Sequence, residues 1–278
     1  MVYRILHFYV GQLLRLFIRR LDIQGIENVP TSGPVVLAAT HPNSFLDAVI
    51  IAVNIKRPAW SLGRGDVFQN PTARFILAQF NMLPIYRMSE GAENLYKNDD
   101  TFDIVTELFQ KNEQVLIFIE GLCTNQTELL PLKKGTARLM FRAWNVENIP
   151  LKIVPMGITY NHFGSFGKHV NWHIGEELTQ KDFAETKEMA LFLKSSNELI
   201  ASKLKKLLSW NFKEASFFNN PLYYIGWAVN FPLYFLAEAI SKRLTKGTVH
   251  TDSVTFAIIV FTLPIYWLVV FLIAKYGF

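Results

Sequence analysis

Five short apolar runs recur between residues 34 and 160: PVVLAAT (34–40), AWSLG (59–63), MLPIY (82–86), VLIFIE (115–120) and IVPMGITY (153–160). Each has the length of one strand, and continuous apolar character at that length marks strands covered on both faces. Helical periodicity fits residues 44–54, 71–80, 100–112 and 135–145. Parallel neighbours need a crossover, and crossover helices cover the faces of the sheet they connect. The expected fold is therefore α/β: a mixed, mostly parallel sheet flanked by helices, within residues 21–215. Residues 21–34, with Gly25, Pro30, Gly33 and Pro34, read as turns and loop, and 182–208 as one helix with a charged face.

The two ends of the chain differ from this middle. In residues 2–20, a 100° step puts Arg4, His7, Gly11, Arg15 and Arg19 on one stripe of an otherwise apolar helix. Residues 1–20 are thus expected to form an N-terminal amphipathic helix, lying either in a membrane interface or on the protein's own core. Residues 216–278 are expected to hold C-terminal membrane helices, at 221–240 and 253–274. The second is free of charge and long enough to cross a bilayer. The first contains Asn230, Pro232 and Glu238, which also fits a re-entrant or interfacial segment. Basic residues flank it on both sides, Lys203, Lys205, Lys206 and Lys213 before, Lys242, Arg243 and Lys246 after. The positive-inside rule draws both flanks to the cytoplasm, which a dipping segment satisfies and two full crossings do not.

Half the residues are hydrophobic, and the net charge is +5. The basic residues sit beside aromatic and aliphatic runs, a placement suited to lipid head groups and not to nucleic acid. Cys123 is the single cysteine, so no intrachain disulfide is possible. Arg15, Arg19 and Arg20 fall where a cleavable signal would carry its apolar core and small-residue site. A membrane location with the catalytic portion on the cytoplasmic face is the expectation.

The sharpest local feature is HPNSFLD, residues 41–47, directly after the first strand candidate. Folded back across a helix start, the Asp47 carboxylate can accept from one imidazole nitrogen of His41. The other nitrogen is then left as a base for a substrate hydroxyl. A simpler reading has Ser44 as an N-cap, with Asp47 at the third helical position serving the helix dipole.

Further blocks follow in order: MLPIYR ending in Arg87, FIEGL with Glu120 and Gly121, and IVPMGI with Pro155. With HPNSFLD they resemble the glycerolipid acyltransferase family typified by bacterial lysophosphatidic acid (1-acyl-sn-glycerol-3-phosphate) acyltransferases. GRGDVFQNP (63–71) and LKKG (132–135) add to a likeness that covers about residues 20–175. The resemblance implies a catalytic pair of His41 and Asp47. It also implies an acceptor site in which Arg87, with Lys133 or Lys134, holds an anionic head and Glu120-Gly121 meets the polar backbone. Acyl-CoA or acyl carrier protein would be the donor and a lyso-lipid the acceptor, with no cofactor. The helix amides after His41 are candidate oxyanion donors.

Two positions depart from the family pattern. Five residues, Pro42 to Leu46, separate the histidine and aspartate where four are usual. One more helical residue would turn the aspartate by about 100°, so the excess is expected to be absorbed in the loop around Pro42. Cys123 stands where the third block usually has arginine, after Leu122 in place of threonine. One cation for a phosphate is then missing, which leaves glycerol 3-phosphate or a phosphate-free lyso-aminolipid as alternative acceptors to lysophosphatidic acid. A non-enzymatic lipid-binding membrane protein of the same fold is the alternative of another class. The presence of His41 and Asp47 beside Arg87 and Glu120 argues against it. No metal site is expected: His169 and His173, with Glu176 and Glu177 nearby, lie in a stretch that reads as strand or loop.

Overall fold

In a computed structural model, residues 2–87, 95–186 and 188–277 are described. One seven-stranded sheet organises the chain, in the order β1-β7-β6-β2-β5-β3-β4. Its strands are β1 (Ile18–Gln24), β2 (Val35–Ala39), β3 (Ala59–Arg64), β4 (Met82–Ile85), β5 (Gln114–Phe118), β6 (Lys152–Tyr160) and β7 (Lys168–Ile174). Every neighbouring pair is parallel except β6 with β7. The mixed, mostly parallel α/β sheet is as the strand runs imply.

β2 shows why those runs are apolar throughout. All five residues are buried. Val35, Leu37 and Ala39 enter the core on one face of the sheet, and Val36 and Ala38 the core on the other. With both faces covered, the period-2 alternation of a half-exposed strand has no reason to appear. Truncating Leu37, which is fully buried, to alanine should cost about 2–5 kcal/mol.

The first face is covered by α1 (Val2–Phe17), α2 (Phe45–Asn54), and an antiparallel pair, α7 (Pro221–Leu244) and α8 (Thr251–Tyr276). The other carries α4 (Lys97–Gln110), α5 (Lys134–Asn145) and α6 (Met189–Leu207). A short helix, α3 (Pro71–Gln79), leads into β4.

Two expectations need correction. The N-terminal helix stops at Phe17, and Ile18–Gln24, read as helix end and loop, form an edge strand parallel to β7. Arg20 and Asp22 neutralise each other there at 2.7 Å, so the strand carries charge and shows no apolar run. The helix expected from residue 182 begins at Met189, after a 3-10 turn closed by a Thr179–Asp182 capping box. Of the two C-terminal segments, α8 alone among the described residues is long and apolar enough to cross a membrane. α7 carries Asn230, whose side chain donates to the Gly226 carbonyl and accepts from the Trp267 indole at 2.9 Å. That bond ties α7 to α8.

α1 packs one stripe on the core and leaves another exposed. Leu13, Leu14 and Phe17 are buried in the core, while Ile5 and Phe8 are exposed. α8 divides along its length as well. Phe256, Ile259 and Leu263 are buried, whereas Ile265, Leu268 and Phe271 are exposed.

Candidate active site

β2, β5, β3 and β4 are parallel neighbours, so their carboxyl ends lie along one side of the sheet. His41 follows the end of β2, Glu120 the end of β5, Arg64 ends β3 and Arg87 follows β4. Crevices at the carboxyl ends of strands are where open α/β sheets bind ligands. Ala39 is paired with Phe118 across β2 and β5, and the His41 ring stacks on Phe118 with centroids 3.8 Å apart. Glu120 accepts from the His41 amide at 2.7 Å and from the Leu130 amide at 2.8 Å. Burial raises the Glu120 pKa, and these two donors pull the other way.

His41 Nδ1 lies 3.0 Å from Asp47 Oδ2. The five-residue spacing still closes, across a loop that ends at Ser44 before α2 begins at Phe45. Ser44 adopts φ 51°, ψ −137°, a conformation costly for a residue with a Cβ. The carboxylate of Asp47 is fully buried and points back over the loop. Its Oδ2 also accepts from the Asn43 amide at 2.7 Å, and its Oδ1 accepts from the Tyr160 hydroxyl at 2.6 Å. Ser44 stands at the cap position but makes no side-chain cap bond. Its Oγ is instead 2.8 Å from His250 Nδ1, and its amide donates to Cys123 Sγ at 2.8 Å. His41 Nε2 makes no hydrogen bond among the described residues, which leaves that nitrogen available as a base.

The other candidate residues are placed as follows. Gly121 has φ +65°, and a Cβ there would lie 2.7 Å from Lys133 Cγ, so the lysine stem lies against the glycine. Lys133 and Lys134 are both exposed. Lys134 begins α5, and no hydrogen bond joins it to the His41–Asp47 pair among the described residues. Burial and the Asp47 charge push the Cys123 thiol up to about 12, while the Arg87 charge opposes the shift. The His250 pKa is lowered, by burial first and then by Arg64, His41 and Arg87. Pro155 is buried in β6 opposite Ala38. His173 Nδ1 bonds the Leu207 carbonyl at 3.0 Å, and no metal-binding group of His, Cys, Asp and Glu occurs among the described residues.

Sequence reasoning missed Asn43, Tyr160, Lys168, His250, Asp252 and Ser253. Tyr160 closes the IVPMGITY run, and a hydroxyl at the end of an apolar strand was the signal that could have found it. An acid opening a charge-free apolar stretch, as Asp252 does, is itself a signal of function.

Residues 20–159, just over half of the chain, match the acyltransferase family model. The chain belongs to the acyltransferase family. It is 24% identical over 138 residues to a chloroplast 1-acyl-sn-glycerol-3-phosphate acyltransferase of Brassica napus, covering 50% of this chain and 38% of that one. A chloroplast enzyme of the same description from Arabidopsis thaliana is 22% identical over 138 residues, covering 50% and 37%. The chain therefore aligns with well under half the length of these curated relatives. The fold is similar to that of the crystal structure of the 1-acyl-sn-glycerophosphate acyltransferase PlsC from Thermotoga maritima, with a TM-score of 0.53 and 16% identity over 76% of this chain and 81% of that one. The family match ends at Thr159, so β7 and helices α6 to α8 lie outside it.

Proposed function

We propose that this acyltransferase moves a fatty acyl chain from an acyl thioester, acyl-CoA or acyl carrier protein, to the free hydroxyl of lysophosphatidic acid. The observation that carries the reading is the 3.0 Å contact between His41 Nδ1 and a buried Asp47 carboxylate. Asp47 holds the tautomer with its proton on Nδ1, and Nε2 takes the proton of the acceptor hydroxyl. The alkoxide oxygen attacks the thioester carbonyl, the C–S bond breaks, and the imidazolium returns its proton to the leaving thiolate. A positioned base contributes about 10²–10⁴ in rate, and orientation and charge stabilisation supply the remainder. The amides of Asn43, Ser44, Leu46 and Asp47 already have acceptors, within the loop or on Cys123 and Ser253, so the start of α2 is a poorer source of oxyanion donors than its helix dipole suggests.

On this reading residues 21–215 form the catalytic domain, with the exposed apolar faces of α1 and of residues 216–278 against lipid. Ile5, Phe8, Phe235, Leu268 and Phe271 supply that surface. Basic residues around α7 favour a cytoplasmic active site. Arg87 and Lys133 hold the acceptor's anionic head, and Glu120 fixes the loop that bears His41. Cys123 permits a second, phosphate-free acceptor class, because a half-buried neutral thiol supplies no cation for a phosphate.

The test is a panel of acceptors with the full chain in lipid nanodiscs and labelled acyl thioester. Lysophosphatidic acid, glycerol 3-phosphate and a phosphate-free lyso-aminolipid are offered in parallel. Phosphatidic acid as the major product is the expected result. Product only from the phosphate-free acceptor rejects the lysophosphatidic acid assignment, and no ester product from any acceptor rejects acyl transfer.

A further inference from the structure

A buried acid outside the family match is built into the loop that bears the pair. Asp252, in the first turn of α8, is 2% exposed. Its Oδ2 accepts from Asn43 Nδ2 at 2.9 Å, and its Oδ1 accepts from the Gly164 amide at 3.0 Å. The same Oδ1 pairs with Lys168 Nζ at 2.7 Å, a lysine with no exposed side-chain surface. One carboxylate thus joins the His41–Asp47 loop, the β6–β7 connection and the start of β7. Ser253 closes the same joint, accepting from the Leu46 amide at 3.2 Å and donating to the Asn43 carbonyl at 3.3 Å.

Anchoring an apolar helix does not require this arrangement. Phe256 and Ile259 already pack α8 into the core, and burying an ion pair is at best a weak source of stability. What such a pair supplies is fixed geometry, through short bonds to charged groups. The geometry at stake is that of Asn43. Its side chain is held by Asp252, and its backbone amide donates to Asp47 Oδ2, the oxygen that meets His41. The loop also contains the left-handed Ser44, whose hydroxyl is held by His250, two residues before Asp252. A strained loop persists only when its surroundings over-determine it, and four of its hydrogen bonds come from residues 250–253.

We infer that Asp252 is a positioning residue for acyl transfer: through Asn43 it holds the backbone donor that orients Asp47 against His41. The first turn of the apolar C-terminal helix is on this account part of the active site. The inference rests on the His41–Asp47 reading given under Proposed function.

The test uses the full chain in nanodiscs, with kcat and both KM values measured for acyl-CoA and lysophosphatidic acid. Asp252→Asn leaves one of the donors, Asn43 or Gly164, without its acceptor. It is expected to lower kcat about tenfold or more with each KM within about twofold. Asn43→Ala deletes the same bond from the loop side and leaves Lys168 paired, so it should show the same split, and it stands in if Asp252→Asn does not fold. Thr255→Val, one turn along α8, deletes the Thr255–Ser241 bond to α7 and should lower Tm without changing kcat. The inference is overturned if Asn43→Ala keeps kcat within about twofold of the parent, or if Thr255→Val loses as much kcat as Asp252→Asn. Failure of the underlying reading looks different: His41→Ala would then turn over like the parent, whatever stands at position 252.

Discussion

The loop from His41 to Asp47 is gripped from two sides that differ in kind. On one side are the ends of β2, β5 and β6, where Glu120 takes the His41 amide and Tyr160 takes Asp47 Oδ1. Nearly all of that side falls within the residues that match the family. On the other side are His250, Asp252 and Ser253, which begin an apolar helix beyond the match. The sheet side sets where the two side chains of the proposed catalytic pair stand. The helix side sets the backbone between them, including the one residue in excess of the family spacing. A loop with an unusual backbone at Ser44 is here held by a second element, the first turn of α8 and the residue before it.

The sheet side is expected to show the larger effects. Asp47→Asn keeps the shape of the side chain but presents an amide that can favour the wrong tautomer of His41. The expected loss is about 10³–10⁴ in kcat, read in the nanodisc assay. Tyr160→Phe removes one hydrogen bond to the buried carboxylate and leaves the others, so a drop of about tenfold to a hundredfold should follow. A Tyr160→Phe effect as large as that of Asp47→Asn would mean that the sheet side alone orients the pair.

Glu120 sharpens the comparison through pH. Its folded pKa is raised above the unfolded value, chiefly by burial. A group of this sign contributes stability that is present below the unfolded pKa and lost as pH rises through the folded one. The stability of Glu120→Gln relative to the parent should therefore improve from pH 4 towards pH 7, in denaturation midpoints taken across that range. A relative stability that falls with rising pH would show a Glu120 held in the opposite sense.

The smallest effect concerns Cys123. The thiolate is the reactive species, and its pKa stands at about 12. Iodoacetamide labelling of the folded chain, followed by mass spectrometry, should therefore keep accelerating well above pH 9. A plateau near pH 9 would place the thiol in an ordinary environment and remove it from the joint with Ser44.

Much of this was legible from residue patterns, and the failures share a cause. β2, β5 and β6 were readable because burial on both faces demands apolar residues throughout. The contact of His41 with Asp47 was readable because both lie at one strand-to-helix loop, whereas Glu120 came from the resemblance, and its bond to the His41 amide was not foreseen. β1 escaped because an edge strand can carry Arg20 and Asp22 against each other, which erases its apolar signature. The grip of α8 on the loop escaped because Asn43 and Asp252 are 209 positions apart, and no periodicity links them. The unusual backbone of Ser44 was not legible, since its partners His250 and Cys123 are distant in the chain and local propensity does not call for it.

The most direct measurement is the turnover of His41→Ala beside the parent, in the same nanodiscs, with labelled acyl-CoA and saturating acceptor. The account predicts a kcat lower by about 10²–10⁴ with an unchanged Tm. A variant that transfers acyl chains as fast as the parent would contradict the assignment of His41 and Asp47 as the catalytic pair.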